Sequence, residues 1–126
     1  MMLLKIIIVL VIVGLLVYHL FPVIQVCGDS MYPTYLDEEI IFGSKIYRKS
    51  KLKKGDVIIY RSPTENRIVI KRIDHIEKRD GKRFFFCLGD NPEHSYDSRY
   101  YGYVSSKNLV CRVINQRRKV ENVYNR

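Results

Sequence analysis

The chain has no tryptophan, and only three cysteines and four prolines among its 126 residues. Cys27, Cys87 and Cys111 lie far apart, so no pair has metal-ligand spacing, and an odd number cannot close entirely into bridges. Structural zinc is thereby disfavoured. The three read as unpaired, mostly buried thiols, with a single disulfide left open. Acidic residues are missing from residues 1–28, where Lys5 is the one Lys, Arg, Asp or Glu. All 13 acidic residues and the remaining basic ones follow, and the whole chain carries a formal charge of +9. A helical period is missing after Gly28, which argues against a helix bundle. With 47% hydrophobic and 28% charged residues, the chain is not mainly disordered, and its length fits one domain behind an apolar head.

That head runs without a break from Ile6 to Val17, and Tyr18–Ile24 extend it. As a helix, 6–24 measures roughly 28 Å, close to the hydrocarbon thickness of a bilayer. Lys5 can snorkel to one interface, and Tyr18 and His19 suit the other. The segment therefore reads as a transmembrane anchor, with residues 1–5 as a short cytoplasmic end. A cleaved signal peptide is the alternative. Pro22 is expected to end the helix because it lacks an amide donor.

Short apolar runs then recur at Glu39–Phe42, Val57–Tyr60, Ile68–Ile76, Phe84–Leu88 and Leu109–Ile114. Turn residues separate them, including Gly55-Asp56, Ser62-Pro63-Thr64, Asp80-Gly81 and the polar stretch Gly89–Gly102. This pattern predicts an all-β barrel or sandwich over 25–115, followed by a basic tail over 116–126. Within Ile68–Ile76, strict alternation puts Ile68, Ile70, Arg72, Asp74 and Ile76 on one face. Val69, Lys71, Ile73 and His75 take the other. Lys71 between two β-branched residues is either a solvated edge lysine, which the pattern alone favours, or a desolvated amine with a lowered pKa.

Two stretches concentrate reactive groups. Gly28-Asp29-Ser30-Met31-Tyr32-Pro33-Thr34 brackets a serine between turn residues, and Gly89-Asp90-Asn91-Pro92-Glu93-His94-Ser95-Tyr96-Asp97-Ser98-Arg99-Tyr100-Tyr101-Gly102 is dense in polar groups. Taken singly, each reads as a turn. Their combination and order, over most of the chain, resemble bacterial type I signal peptidases, the membrane-anchored Ser-Lys proteases that remove signal peptides. The first stretch resembles that family's Ser-Met-x-Pro-Thr nucleophile motif, placed just after the anchor. Gly55–Tyr60 resembles its Gly-Asp-apolar strand, and Ile70-Lys71-Arg72-Ile73 its general-base motif. Gly89–Gly102 resembles Gly-Asp-Asn-x-x-x-Ser-x-Asp-Ser-Arg-x-x-Gly.

The resemblance implies roles by position. Ser30 is the nucleophile, Lys71 the neutral general base, and Ser95 the serine that orients the lysine. Asp97 and Arg99 form a supporting ion pair with Arg72 beside it, and Asp90 and Asn91 belong to the same loop. The Ser30 amide faces the oxyanion. Gly28 stands where some relatives place a serine donor, which leaves the second donor open. Val26, Met31 and Ile70 are expected to line shallow pockets for a small-residue Ala-x-Ala stretch bound as an added strand. No cofactor or metal is implied. The implied partners are membrane lipids and secreted preproteins emerging from the translocase. The implied location is the cell membrane, spanned once, with the catalytic body outside.

The chemistry is consistent, since serine–lysine pairs are an alternative to the histidine triad. His75, His94 and His19 are the competing bases. His75 is expected ~13 Å along the strand from Lys71. Two departures stand out. Asp74-His75-Ile76-Glu77-Lys78 replaces the Gly-Leu-Pro-Gly-Asp found in many relatives. Only 17 residues separate Lys71 from Gly89, too few for the second β-domain that some relatives insert. The alternatives are a dedicated peptidase or assembly factor for pilin precursors, and an SOS-repressor-like self-cleaving protein. Anionic lipid is one partner for the basic groups Arg112, Arg117, Arg118, Lys119 and Arg126, with a solvated tail as the other reading; nucleic acid is disfavoured.

Overall fold

The structure, a computed structural model, describes residues 1–120. Helix α1 spans Met2–Leu20 and buries none of its residues. It stops two residues before Pro22, which cannot supply the next helical hydrogen bond. The helix starts at Met2, ahead of the segment expected over 6–24, and residues 23–24 belong to strand β1 (Val23–Gln25). The link to the body is tight. Lys45 donates its amide to Leu20 O at 2.8 Å, and Gly43 donates to Pro22 O at 2.8 Å.

The body is an antiparallel sheet of β1, β2 (Ile40–Ser44), β3 (Val57–Arg61), β4 (Ile68–Arg79), β5 (Lys82–Leu88), β6 (Val104–Ser105) and β7 (Leu109–Val113). The spatial order is β1-β2-β7-β3-β4-β5-β6. A short helix α2 (Ser98–Tyr101) and 3-10 turns at Lys49–Lys51, Pro92–His94 and Ser106–Asn108 fill the connections. This is the expected β domain behind one apolar helix.

Both faces of the sheet centre are covered, which explains the unbroken V-I-I-Y of β3. Val57 and Ile59 pack with Val26, Met31, Tyr35, Ile41, Ile70, Cys111 and Val113. Ile58 and Tyr60 point the other way, among Leu52, Ile73, Phe85, Cys87 and Val104. Each fully buried Ile or Phe contributes about 2 kcal/mol.

Strand β4 breaks the simple alternation. Ile73 pairs with Cys87 and His75 with the adjacent Phe86, so Asp74 is the extra residue of a bulge. Beyond it the faces exchange, and Ile76 packs beside Ile73 rather than sharing the face of Ile70. His75 is turned to the surface, where it meets Asp74 and the Tyr103 hydroxyl at 2.8 Å each.

The first residues of the expected basic tail are strapped to the body. Gln116 accepts from the Val57 amide at 2.7 Å and donates to Val57 O at 2.8 Å. Arg117 pairs with Glu39 and donates to Thr34 O at 3.0 Å. Residues 117–120 remain exposed, so the tail is solvated while Gln116 and Arg117 hold its start to the body, and Arg126 lies outside the described residues. Cys27, Cys87 and Cys111 are free thiols, and the last two are buried.

Candidate active site

Ser30 lies in the turn that leaves β1. Gly28 has φ 88°, a conformation that glycine adopts without a side-chain penalty, and its amide donates to Asp37 Oδ1 at 2.8 Å. Ser30 is held through its carbonyl, which accepts from the Asn91 amide at 2.9 Å; Asn91 Nδ2 also donates to Asp29 O at 3.0 Å. The half-buried Ser30 is thus fixed from behind by the Gly89–Gly102 segment. Gly89 makes that approach feasible. A Cβ there would stand 2.2 Å from Ser95 Oγ and 2.6 Å from Ser30 O.

Lys71 comes from the middle of β4, between β3 and β5, and is only 4% exposed. The solvated-edge reading is therefore corrected: Val69 and Ile73 flank it on its own face, and the sheet continues on both sides. Among the described residues its amine forms no ion pair. Loss of water drives its pKa down from 10.5 to about 8; the pull of Asp97 in the opposite direction is weaker.

Beneath this face Asp97 gathers donors. Its side chain is fully buried and accepts from Ser95 Oγ at 2.6 Å, the Gly89 amide at 3.0 Å and Arg99 Nε at 2.9 Å. Burial alone would raise its pKa, but the hydrogen bonds from Arg99, Ser95 and Gly89 hold the carboxyl below its ordinary range. Arg99 also donates to Pro92 O and Ser95 O, at 2.8 and 3.1 Å. A second pair is two-pronged. Arg72 Nε and Nη2 meet the Asp90 oxygens at 2.9 and 2.8 Å, and Arg72 Nη1 reaches Gly55 O at 2.8 Å.

Ser30 and Lys71 open into one groove of about 480 Å³. One wall is Ile24–Ser30, the other Arg67–Lys71, with His94 and Tyr96 at the rim. Val26 and Ile70 are among its lining residues. Met31 is not: it is fully buried in the core, and its sulfur accepts the Asp90 amide at 3.4 Å. The expectation for Met31 is corrected, because the turn after Ser30 sends the next side chain inward. The Gly28 amide is committed to Asp37, so it does not fill the open place of a second oxyanion donor. Neither the surface His75 nor His19 on α1 lines the groove.

The family model described as "Signal peptidase, peptidase S26" matches residues 1–82 and 79–115. The chain belongs to this family. Among curated relatives, mitochondrial inner membrane protease subunit 1 of Mus musculus is 30% identical over 98 residues, covering 64% of this chain and 59% of the relative. Signal peptidase I T of Bacillus subtilis is 38% identical over 71 residues, covering 55% of this chain and 37% of the relative. Signal peptidase I of Buchnera aphidicola is 52% identical over 33 residues, covering 26% of this chain and 11% of the relative. The chain thus aligns with between 11% and 59% of these relatives' lengths.

For a signal peptidase family chain, three positional features escape a reading of motifs. Gly89 sets the closeness of Ser95 to the Ser30 backbone. Arg67, held by Glu65, brings a cation to the groove wall. Asp37 fixes the Gly28 turn from nine residues away. Only the glycine is marked in sequence, as the first residue of the dense polar run.

Proposed function

We propose that this chain is a membrane-anchored serine endopeptidase that removes amino-terminal signal peptides from secreted preproteins. The observation that carries this reading is Lys71, a buried amine with no ion-pair partner among the described residues, facing the same groove as Ser30. A buried lysine is costly to keep and is useful where a neutral amine must accept a proton.

The steps follow from these groups. Ser30 Oγ attacks the scissile carbonyl as Lys71 Nζ takes its proton. The Ser30 amide, which donates to none of the described residues, stabilises the developing oxyanion. Lys71 then protonates the leaving amine, which departs with the mature chain. A water molecule, activated by the same amine, releases the signal peptide from Ser30. Ser95, Asp97 and Arg99 position the base from below, and Arg72 with Asp90 anchors the loop that backs Ser30. The substrate adds as a strand between the two groove walls, where Val26 and Ile70 leave shallow apolar space for small residues of an Ala-x-Ala stretch. Helix α1 anchors the chain in the membrane, with its first residues cytoplasmic and the body outside.

The test is cleavage of a preprotein bearing Ala-x-Ala by the full chain in detergent, with the new amino terminus sequenced. Wild type should release the mature protein, and Ser30→Ala and Lys71→Met should each lose at least about a thousandfold in rate. Retained cleavage in either variant, or cleavage elsewhere, overturns the assignment.

A further inference from the structure

Between β2 and β3 the chain runs Lys45-Ile46-Tyr47-Arg48-Lys49-Ser50-Lys51-Leu52-Lys53-Lys54, six basic residues in ten with no acid among them. All six are exposed, and among the described residues none forms an ion pair. The segment is nonetheless held in shape. Leu52 is 2% exposed and plugs the core. Arg83 donates to Lys49 O and, at 2.6 Å, to Leu52 O. A 3-10 turn at Lys49–Lys51 presents the cations outward, with Lys49 Nζ also reaching Ser106 O at 3.3 Å.

Its place in the molecule gives this charge a direction. The Lys45 amide is bonded to Leu20 O, the last carbonyl of α1, at 2.8 Å. The 19 residues of α1 span about 28 Å, the thickness of a hydrocarbon layer, so Leu20 falls at an interface when the helix crosses a bilayer. Chain length keeps Arg48 within about 11 Å and Lys51 within about 22 Å of that level. Ile46, 62% exposed, and Tyr47 add an apolar and an aromatic side chain at the start of the segment.

We infer that Lys45–Lys54 is a docking surface for anionic lipid headgroups, which holds the body down on the bilayer beside its anchor. The inference rests on α1 being inserted, as the proposed function has it. Clustered basic residues next to a membrane helix attract acidic lipid within a Debye length of the surface. The attraction sets the height and tilt of the groove above the membrane, a property separate from the chemistry at Ser30.

The test uses the full chain carrying Cys27→Ser and Ser50→Cys, labelled at the new thiol and reconstituted into vesicles. One set is phosphatidylcholine, and the other contains about 30% phosphatidylglycerol. Both carry headgroup-spin-labelled lipid as a quencher. Quenching should be at least about twofold stronger in the acidic vesicles. The excess should vanish in about 0.5 M salt, and also when Arg48, Lys49 and Lys51 are replaced by glutamine. Flotation with both vesicles but equal quenching overturns the headgroup surface alone. Excess quenching that survives both salt and the glutamine variant is not electrostatic attraction by these residues and overturns the charge argument. Failure to float with phosphatidylcholine vesicles overturns insertion of α1, and the inference with it.

Discussion

Lys71 sits where a protonated amine is costly. Its pKa falls from 10.5 to about 8, which corresponds to about 3 kcal/mol of lost solvation for the charged form. The direction of the pH effects follows. Below about pH 8 the amine is protonated in both folded and unfolded chains, and the folded state bears the full cost. Between about 8 and 10.5 only the unfolded chain keeps the proton, so stability rises with pH. Lys71→Met, similar in length and uncharged, should therefore raise stability at pH 7 by about 1–3 kcal/mol, and the gain should fade by about pH 10.5. Urea melts of the full chain in detergent at the two pH values measure this; an equal gain at both would contradict a buried titrating amine. The proposed mechanism ties activity to the same titration: with the neutral amine as the base, kcat/KM should rise about tenfold per pH unit below pH 8 and level off above it. A profile flat from pH 6 to 9 would exclude Lys71 as the base.

At the level of elements, the segment after β7 acts as a continuation of the sheet. The buried Val57 has both its amide and its carbonyl bonded to the Gln116 side chain, which stands in for a strand neighbour. Arg117 lies over the Tyr35 ring at 4.8 Å, and the Val120 amide donates to Thr34 Oγ1 at 3.1 Å. The residues just after Ser30 are thus clamped from behind. Gln116→Ala leaves two backbone groups of Val57 without this partner and should cost about 2 kcal/mol, read by chemical denaturation. A loss below about 0.5 kcal/mol would mean that water replaces the side chain freely.

Which elements sequence could reveal follows from their physics. The five apolar runs became β2, β3, β4, β5 and β7, because buried strands write themselves as β-branched and aromatic clusters. Strand β1 was hidden because its three residues continue the apolar run of α1 without a turn between them, and β6 because two residues make no pattern. The Asp74 bulge was invisible for a different reason. An extra residue leaves the composition of a strand unchanged while exchanging the faces of everything beyond it, so Ile76 and His75 went to the wrong sides. At the site, motif spacing singles out Ser30, Lys71, Ser95, Asp97 and Arg99; in the structure Ser30 and Lys71 line one groove, and Ser95 and Arg99 bond to Asp97. Met31 was misplaced because a tight turn decides where each side chain points.

The whole molecule divides into parts that share little buried surface. No residue of α1 is buried; its last carbonyl, of Leu20, accepts from Lys45, and just beyond the helix the Pro22 carbonyl accepts from Gly43. Both hydrophobic clusters lie entirely beyond Leu20, with Ile24 the earliest side chain to join either. The body therefore owes its stability to contacts that do not include the anchor. A chain beginning at Phe21 should fold, with an unfolding free energy in detergent within about 0.5 kcal/mol of the full chain's, since one lost carbonyl partner at Lys45 is solvent-accessible. It should no longer float with vesicles of neutral lipid. Cleavage of a short soluble peptide should persist in it, because Ser30, Lys71 and both groove walls remain, whereas cleavage of a membrane-inserted preprotein should fall at least about a hundredfold for want of a shared surface. Loss of both activities together with a cooperative fold would mean that α1 shapes the groove itself, and that the anchor is part of the substrate site.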